Sequence, residues 1–226
     1  MKKTIIKIIS IDAVIILITL LYIIPMKFPG IIHRKHEYMG YTYYSSIFNS
    51  NFSEYEAEYA FDSLIGNEPG YKYLLDSFYK DGYRIYFDDK LTYAWCTGKP
   101  VGSNNFSACV RYKRGSYNIL AGMFVNYQND YFSEKIFFHE LSHYVDLKLG
   151  GVSQSKEFKE IYEKEYESST LAGHTYYQDI MEYYAEESAY YILYNSMDKE
   201  LYNPYGKYSD APKTFDYIGK QLEKLK

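Results

Sequence analysis

The residues best suited to chemistry are two histidines four positions apart and the glutamate that follows the first of them, His139, Glu140 and His143. On an α-helix, side chains four residues apart share one face, so both imidazoles can point at a single ion. Glu140 lies about 100° further round the same turn. From there its carboxylate can reach a water on that ion without binding the ion itself. The pattern therefore predicts a zinc site with a general base beside it.

The sequence around this pattern favours a buried helix. Apolar residues flank the histidines on both sides, and two buried histidines without partners would be costly. Ser133 is suited to the N-cap position, and Gly150-Gly151 is a stop signal. The alternative, a surface helix that carries two histidines by chance, fits this apolar setting poorly.

A catalytic zinc site needs a third protein ligand, and the sequence after His143 offers five candidates, Asp146, His174, Glu182, Glu186 and Glu187. Asp146 is three residues beyond His143 on the same helix, where it can hydrogen-bond the outer nitrogen of a histidine more readily than reach the ion. A second helix is predicted over residues 179–196. Glu182 and Glu186 share one of its faces with two alanines, whereas Glu187 falls off that face. A solvated charged surface is the alternative for this helix.

The remaining patterns predict an α+β fold with two helices, a small sheet and four further helices. The first two helices are expected from Ser53, in a capping box, to Leu64 and over residues 67–81. Strands are expected over 83–87, 108–112 and 117–127, and the last two form a hairpin. If the last strand is a sheet edge, its backbone can pair with an extended peptide. The helices after the zinc helix are expected over 155–166, 179–196 and from Pro212 onward.

The N-terminal residues 1–30 have the features of a targeting segment. A basic start precedes an apolar run at residues 5–24, which is typical of a secretory signal and is about long enough to cross a bilayer. We expect the rest of the chain to be exported, with the segment acting either as a cleaved signal peptide or as a membrane-attaching signal-anchor. Residues 31–50 are interpreted as a linker, in which His33 and His36 are solvated, and residues 51–226 as the functional domain.

Charge and cysteine content limit the partners and the chemistry. The net charge is −4, with no basic cluster beyond the first residues, which argues against nucleic acid as a partner. Cys96 and Cys109 are the two cysteines. In an exported protein they either form a disulfide or remain free thiols, and neither has the spacing of a metal ligand. We assign them no catalytic role.

Four separated motifs connect the chain to a known family. They are HELSHYVD at 139–146, SKEFKEIY at 155–162, EYYAE at 182–186 and DAPKTF at 210–215. In this order and spacing they resemble the catalytic domain of anthrax lethal factor-like zinc metallopeptidases, a fold class that also includes the small secreted Pro-Pro endopeptidases of clostridia. The resemblance covers roughly residues 50–226 and implies a zincin-like fold with one zinc ion.

The resemblance also implies roles for individual residues. His139, His143 and Glu182 would bind zinc, Glu140 would be the base, and Glu186 would support the ligands from behind. Members of the family carry a tyrosine seven residues before the ligand glutamate that stabilises the oxyanion, but here that position is Thr175. We assign the role to Tyr176, with the alternatives His174 and Tyr177.

These observations predict an exported zinc endopeptidase that hydrolyses protein or peptide substrates. We expect a monomer that is secreted or anchored to the outer face of the cell membrane, in a Gram-positive bacterium. The alternative is a catalytically impaired, toxin-related surface protein that binds partners with a zincin-like shell. A purely structural zinc protein fits poorly, because only three ligands are evident and Glu140 would have no role.

Overall fold

The computed structural model describes residues 13–17, 29–65, 71–97, 108–113, 120–126, 134–196 and 211–226. They belong to two compact units. Unit one comprises the described parts of residues 1–52, 84–107 and 111–128, and unit two comprises those of residues 53–83, 108–110 and 129–226. The architecture is α+β, as the sequence predicts, with helices and one mixed sheet.

The sheet has five strands in the order β1-β2-β3-β5-β4. Its strands are His33–Tyr38 (β1), Tyr41–Ser46 (β2), Arg84–Asp88 (β3), Ala108–Arg111 (β4) and Gly122–Asn126 (β5). β1 pairs antiparallel with β2, whereas β2 with β3 and β3 with β5 are parallel. The strands predicted at 83–87 and 108–112, and the C-terminal half of that predicted at 117–127, are present within a residue or two. The predicted connection between the last two lies largely outside the described residues.

The stretch interpreted as a linker, residues 31–50, instead contains the hairpin β1–β2. Met39 and Gly40 form its turn with φ of 49° and 86°, the left-handed conformation that tight hairpins use at both central positions. The alternation of β1 is weak in sequence, because mostly charged and polar residues form it. β1 pairs with β2, and β2 in turn pairs with β3, a strand that is distant in the chain. His33 is accordingly buried and not solvated.

The strand before the zinc helix does not meet the condition set for peptide pairing in the sequence analysis, because it is not a sheet edge. β5 lies between β3 and β4, so its backbone is paired on both sides and is not free to bind a peptide. All five of its residues are buried. At Gly122 a Cβ atom would lie 2.1 Å from the carbonyl oxygen of Arg84, so this close strand pairing requires glycine.

A helix that the sequence analysis missed, Lys90–Thr97 (α3), follows β3 in unit one. Asp89 caps it, since its Oδ1 accepts hydrogen bonds from the backbone N–H groups of Leu91 and Thr92 at 2.9 and 3.2 Å. The glycines and proline that follow Thr97 hid this signal. Of the alternatives left open for the cysteines, the structure has no disulfide between Cys96 and Cys109, and both side chains are buried.

Unit two is helical and contains the predicted zinc helix. Its helices are Glu54–Ile65 (α1), Lys72–Lys80 (α2), Glu134–Lys148 (α4), Lys156–Glu165 (α5), Ile180–Ser196 (α6) and Pro212–Glu223 (α7). The predicted cap of α1 is present, because Ser53 accepts from the N–H of Glu56, and Ser155 caps α5 by accepting from the N–H of Phe158. The proposed N-cap Ser133 lies outside the described residues.

Most of the predicted N-terminal segment also lies outside the described residues. Of the apolar run at 5–24, residues 13–17 are described, and they are helical and exposed. In the part of the chain that the structure covers, no helix combines the length and apolar character needed to cross a membrane.

Candidate metal centre

Helix α4 carries the first two candidate ligands on one face. Its apolar residues Phe137, Phe138 and Leu141 are fully buried in unit two, which fixes the rotation of the helix. With that face inward, the two histidines project from the opposite side of the same turns, and their rings lie 4.8 Å apart. The helix ends at Lys148, just before Gly150-Gly151, both of which have positive φ as the stop signal predicts.

Helix α6 packs against α4 and brings Glu182 to the histidines. Glu182 Oε2 lies 3.1 Å from His139 Nε2 and 3.2 Å from His143 Nε2, and the two nitrogens are 3.2 Å apart. Ala185 and Ala189 are fully buried on α6, and their small side chains permit the close packing of the two helices. The three polar atoms therefore form a nearly equilateral triangle.

The electrostatics of the triangle favour a cation. Burial lowers the pKa of His139, but its contacts with Glu182 and Glu186 and the nearby charge of Glu140 raise it more, to about 9. Burial raises the pKa of Glu182, yet hydrogen bonds from the two histidines and Tyr176 more than reverse this and hold the pKa well below its usual range. Glu182 is therefore ionised, and His139 is protonated at neutral pH when no metal competes for it.

Glu186 holds the far side of His139. Its Oε2 lies 3.0 Å from His139 Nδ1, and its Oε1 accepts a hydrogen bond of 2.7 Å from Lys135 Nζ. A carboxylate at the outer nitrogen fixes the ring orientation and directs Nε2 toward the triangle. Lys135 was missed by the sequence analysis. The available signal was its position four residues before His139, on the same face of α4.

Tyr176 lies at the open side of the triangle. Its hydroxyl donates a 2.6 Å hydrogen bond to Glu182 Oε2, and 57% of the residue is exposed. Burial of the hydroxyl, followed by this hydrogen bond, raises its pKa above the ordinary value, so it stays a donor at neutral pH. Hydroxyl groups of Tyr162 and Tyr166 donate to carbonyls of residues 174, 177 and 178, which holds the segment in place.

The two alternatives to Tyr176 occupy a different position. His174 and Tyr177 line a cavity of about 190 Å³ together with Lys135 and Glu186, on the outer side of His139. Tyr176 is not among its lining residues. The structure thus brings Tyr176 to the ligand triangle and brings His174 and Tyr177 to the supporting carboxylate.

Asp146 does not take the position expected of it. Its Oδ1 and Oδ2 accept hydrogen bonds from the backbone N–H and the hydroxyl of Ser153, at 2.7 and 2.8 Å. The turn at Gly150-Gly151 reverses the chain and brings Ser153 back over this carboxylate, so Asp146 stabilises the end of α4. Orientation of a histidine, the role predicted for Asp146, is performed in this structure by Glu186.

Two residues considered in the sequence analysis remain, Glu140 and Glu187. The first belongs to the candidate centre, and the second does not. Glu140 is 6% exposed, and its charge contributes to the raised pKa of both His139 and Tyr176, after the larger effects already described. Its carboxylate therefore belongs to the same electrostatic cluster. Glu187 is buried on α6, one residue beyond Glu186, and so points about 100° away from the ligand face.

The donor set fits a divalent ion such as zinc. Two imidazole nitrogens and one carboxylate oxygen are the ligands of many hydrolytic zinc sites. Bonds of 2.0–2.1 Å at tetrahedral angles separate ligand atoms by about 3.3 Å, close to the observed sides of the triangle. His139, His143 and Glu182 are thus grouped as a candidate metal centre.

Comparisons with models of protein families, with curated proteins and with solved structures find no match for this chain. The candidate centre is therefore interpreted from its own geometry and from the motifs in the sequence.

Proposed function

We propose that the protein is an exported zinc endopeptidase with a zincin-like domain related to the lethal factor-like metallopeptidases. The observation that carries the proposal is the triangle of His139 Nε2, His143 Nε2 and Glu182 Oε2, with sides of 3.1 to 3.2 Å. An accidental cluster would not also have a carboxylate behind one histidine and a tyrosine hydroxyl at the open side. These are the supports that hydrolytic zinc sites use.

Each residue of the centre has a separate role in the proposed hydrolysis of a peptide bond. Zinc, when bound by the three ligands, supplies a Lewis acid that lowers the pKa of water to near 7. Glu140 accepts the proton of the attacking water and then delivers it to the amine that leaves. Tyr176 donates a hydrogen bond to the carbonyl oxygen as negative charge develops on it. Glu186, held by Lys135, keeps the ring of His139 in position.

The substrates proposed are proteins or peptides outside the cytoplasm. The N-terminal apolar run supports export, and the net charge of −4 argues against nucleic acid as a partner. A single ion at this centre and a monomeric chain complete the proposal.

The test is a substitution that removes the base and spares the ligands. Glu140→Gln should retain zinc, measured by mass spectrometry of the metal, and should lose cleavage of a general peptide library by about 10² to 10⁴-fold. Glu182→Ala should lose both zinc and cleavage. Glu187→Gln is the matched control, because Glu187 is a similarly buried carboxylate off the ligand face and its loss should spare activity.

Two results would contradict the proposal. Near-normal cleavage by Glu140→Gln would exclude Glu140 as the base. Absence of any cleavage by zinc-loaded wild-type protein, across the whole library, would favour the alternative of a binding protein that has lost catalysis.

A further inference from the structure

A second group of metal-ligand side chains lies in unit one, outside the centre described above. His33 begins β1, Asp88 ends β3 and Cys96 lies in the last turn of α3. One potential ligand atom from each residue lies within 4.8 Å of those of the other two. All three residues are buried, with exposures of 3%, 0% and 1%. The group is thus built from three separate segments and is closed to solvent.

The hydrogen bonding of Asp88 is incomplete. Its Oδ1 lies 2.7 Å from His33 Nε2, which accounts for that oxygen. Its Oδ2 is buried and has no hydrogen-bond partner among the described residues. A carboxylate oxygen in a dry interior is strongly destabilising unless a donor or a cation satisfies it. The hydrogen bond with His33 therefore accounts for only one of the two oxygens of this carboxylate.

Asn126, the neighbour of Asp88 in the sheet, also has buried polar atoms without hydrogen-bond partners among the described residues. Asn126 is the register partner of Asp88 on the parallel strand β5, so both side chains project from one face of the sheet. Asn126 is fully buried, and neither its Oδ1 nor its Nδ2 has a partner in the part of the chain that the structure describes. Unpaired buried polar atoms on adjacent residues are a recognised sign of an ion or water at that point.

Other chemistry explains the group less well. A cysteine, a histidine and an aspartate can form a nucleophilic triad, but the nucleophile has to reach a substrate. Cys96 is 1% exposed, and burial raises the pKa of its thiol, so it is neither accessible nor activated. A sulfur, an imidazole nitrogen and a carboxylate oxygen are instead a donor set that suits zinc.

We propose that His33, Asp88 and Cys96 form a second, structural metal site for zinc, with Asn126 Oδ1 positioned to complete four-coordination. A closed set of ligands without an accessible position is the arrangement of structural zinc sites. Binding replaces the hydrogen bond between His33 and Asp88 with two bonds to the metal, so the proton of that hydrogen bond and the thiol proton of Cys96 both leave the site for solvent. The ion ties the hairpin, the central strand β3 and α3 together.

Cobalt(II) distinguishes this site from the catalytic centre, because a thiolate ligand adds an intense near-ultraviolet charge-transfer band and the catalytic centre contains no sulfur. Titration of the metal-free full chain with Co²⁺ should produce the band. It should persist in Cys109→Ser, where Cys96 is the one remaining cysteine. It should also persist in Glu182→Ala, which lacks a catalytic ligand, and disappear in Cys96→Ser. Zinc content should fall by one equivalent in Cys96→Ser and, separately, in Glu182→Ala.

A further variant, Asp88→Asn, tests the proposed site even if one of the serine variants does not fold. Asp88→Asn retains both thiols and should bind cobalt at least tenfold more weakly, which provides an independent measurement if either serine variant is unfolded by circular dichroism. Absence of the band in folded Cys109→Ser, or a band that survives in Cys96→Ser, overturns the proposal. Loss of peptide cleavage in Glu182→Ala with the band intact separates the two sites.

Discussion

The hydroxyl of Tyr176 provides the sharpest test of the proposed catalytic mechanism. It lies 2.6 Å from Glu182 Oε2 and so faces the open side of the ligand triangle. Tyr176→Phe removes this hydroxyl and keeps the ring, whose centroid lies 6.5 Å from that of His139. We expect kcat to fall while zinc content and KM stay close to the wild-type values, since the three ligands are untouched.

The size of the effect follows from the environment of the hydroxyl. A positioned donor to a developing oxyanion contributes about 10² to 10³ in kcat when water is excluded. Tyr176 is 57% exposed, so water can partly replace it. The fall in kcat should therefore be about 10- to 100-fold, which corresponds to about 1.4 to 2.7 kcal/mol of activation free energy.

The assay compares three variants on one peptide, chosen from the cleavage products of a library. Tyr177→Phe is the matched control, because it removes the hydroxyl of the adjacent tyrosine, which lines the cavity beside Glu186. His174→Ala tests the other alternative. Unchanged kcat in Tyr176→Phe, together with a large fall in either of the other two variants, would refute the assignment. Loss of zinc from Tyr176→Phe would show instead that the hydroxyl mainly supports Glu182.

Two further predictions concern ionisable residues. The protonation of His139 should set the pH dependence of zinc affinity, and the hydrogen bonds of Glu165 should contribute to the stability of the fold. Against the effect of burial, the facing carboxylates hold the pKa of His139 at about 9, so below that pH zinc has to displace a proton. The apparent Kd for zinc should accordingly fall about tenfold per pH unit as the pH rises from about 6 to 8. Competition with a chromophoric chelator measures this Kd, and a pH-independent value would contradict the prediction. Glu165 accepts from Thr214 N and Oγ1 at 2.9 and 3.0 Å and so caps α7. Glu165→Gln should lower the free energy of unfolding by about 1 to 3 kcal/mol in urea, whereas the exposed control Glu167→Gln should not, and equal effects would exclude this cap.

The sequence predicted well those features that depend on local signals. The helices α1, α4, α5 and α6 begin and end near the expected residues, and local signals such as the cap Ser53 of α1 and the stop Gly150-Gly151 after α4 lie beside them in the chain. The face of α6 that carries Glu182 and Glu186 was identified by its spacing with two alanines, and the family resemblance assigned the ligand role to Glu182. These are short-range patterns, and they carry over directly into the structure.

What the sequence did not reveal depends on contacts between distant segments. The hairpin β1–β2 was interpreted as a linker because its polar residues are ordered by pairing with β3, some 40 positions later along the chain. Asp146 was expected to face a histidine, but the turn after α4 gives it Ser153 as a partner. Lys135 was overlooked because its partner, Glu186, lies on another helix.

The charges around the candidate centre favour the binding of a cation. Three carboxylates, those of Glu140, Glu182 and Glu186, surround His139, and Lys135 is positioned against one of them. Without a metal, the surplus negative charge is relieved by a proton on His139, which is why its pKa is raised despite burial. A divalent ion replaces that proton, adds one positive charge and bonds the same nitrogen. The H-E-x-x-H pattern would thus supply two ligands from one helix, and Glu182 and Glu186 of the other helix would supply the third ligand and the negative field that retains an ion.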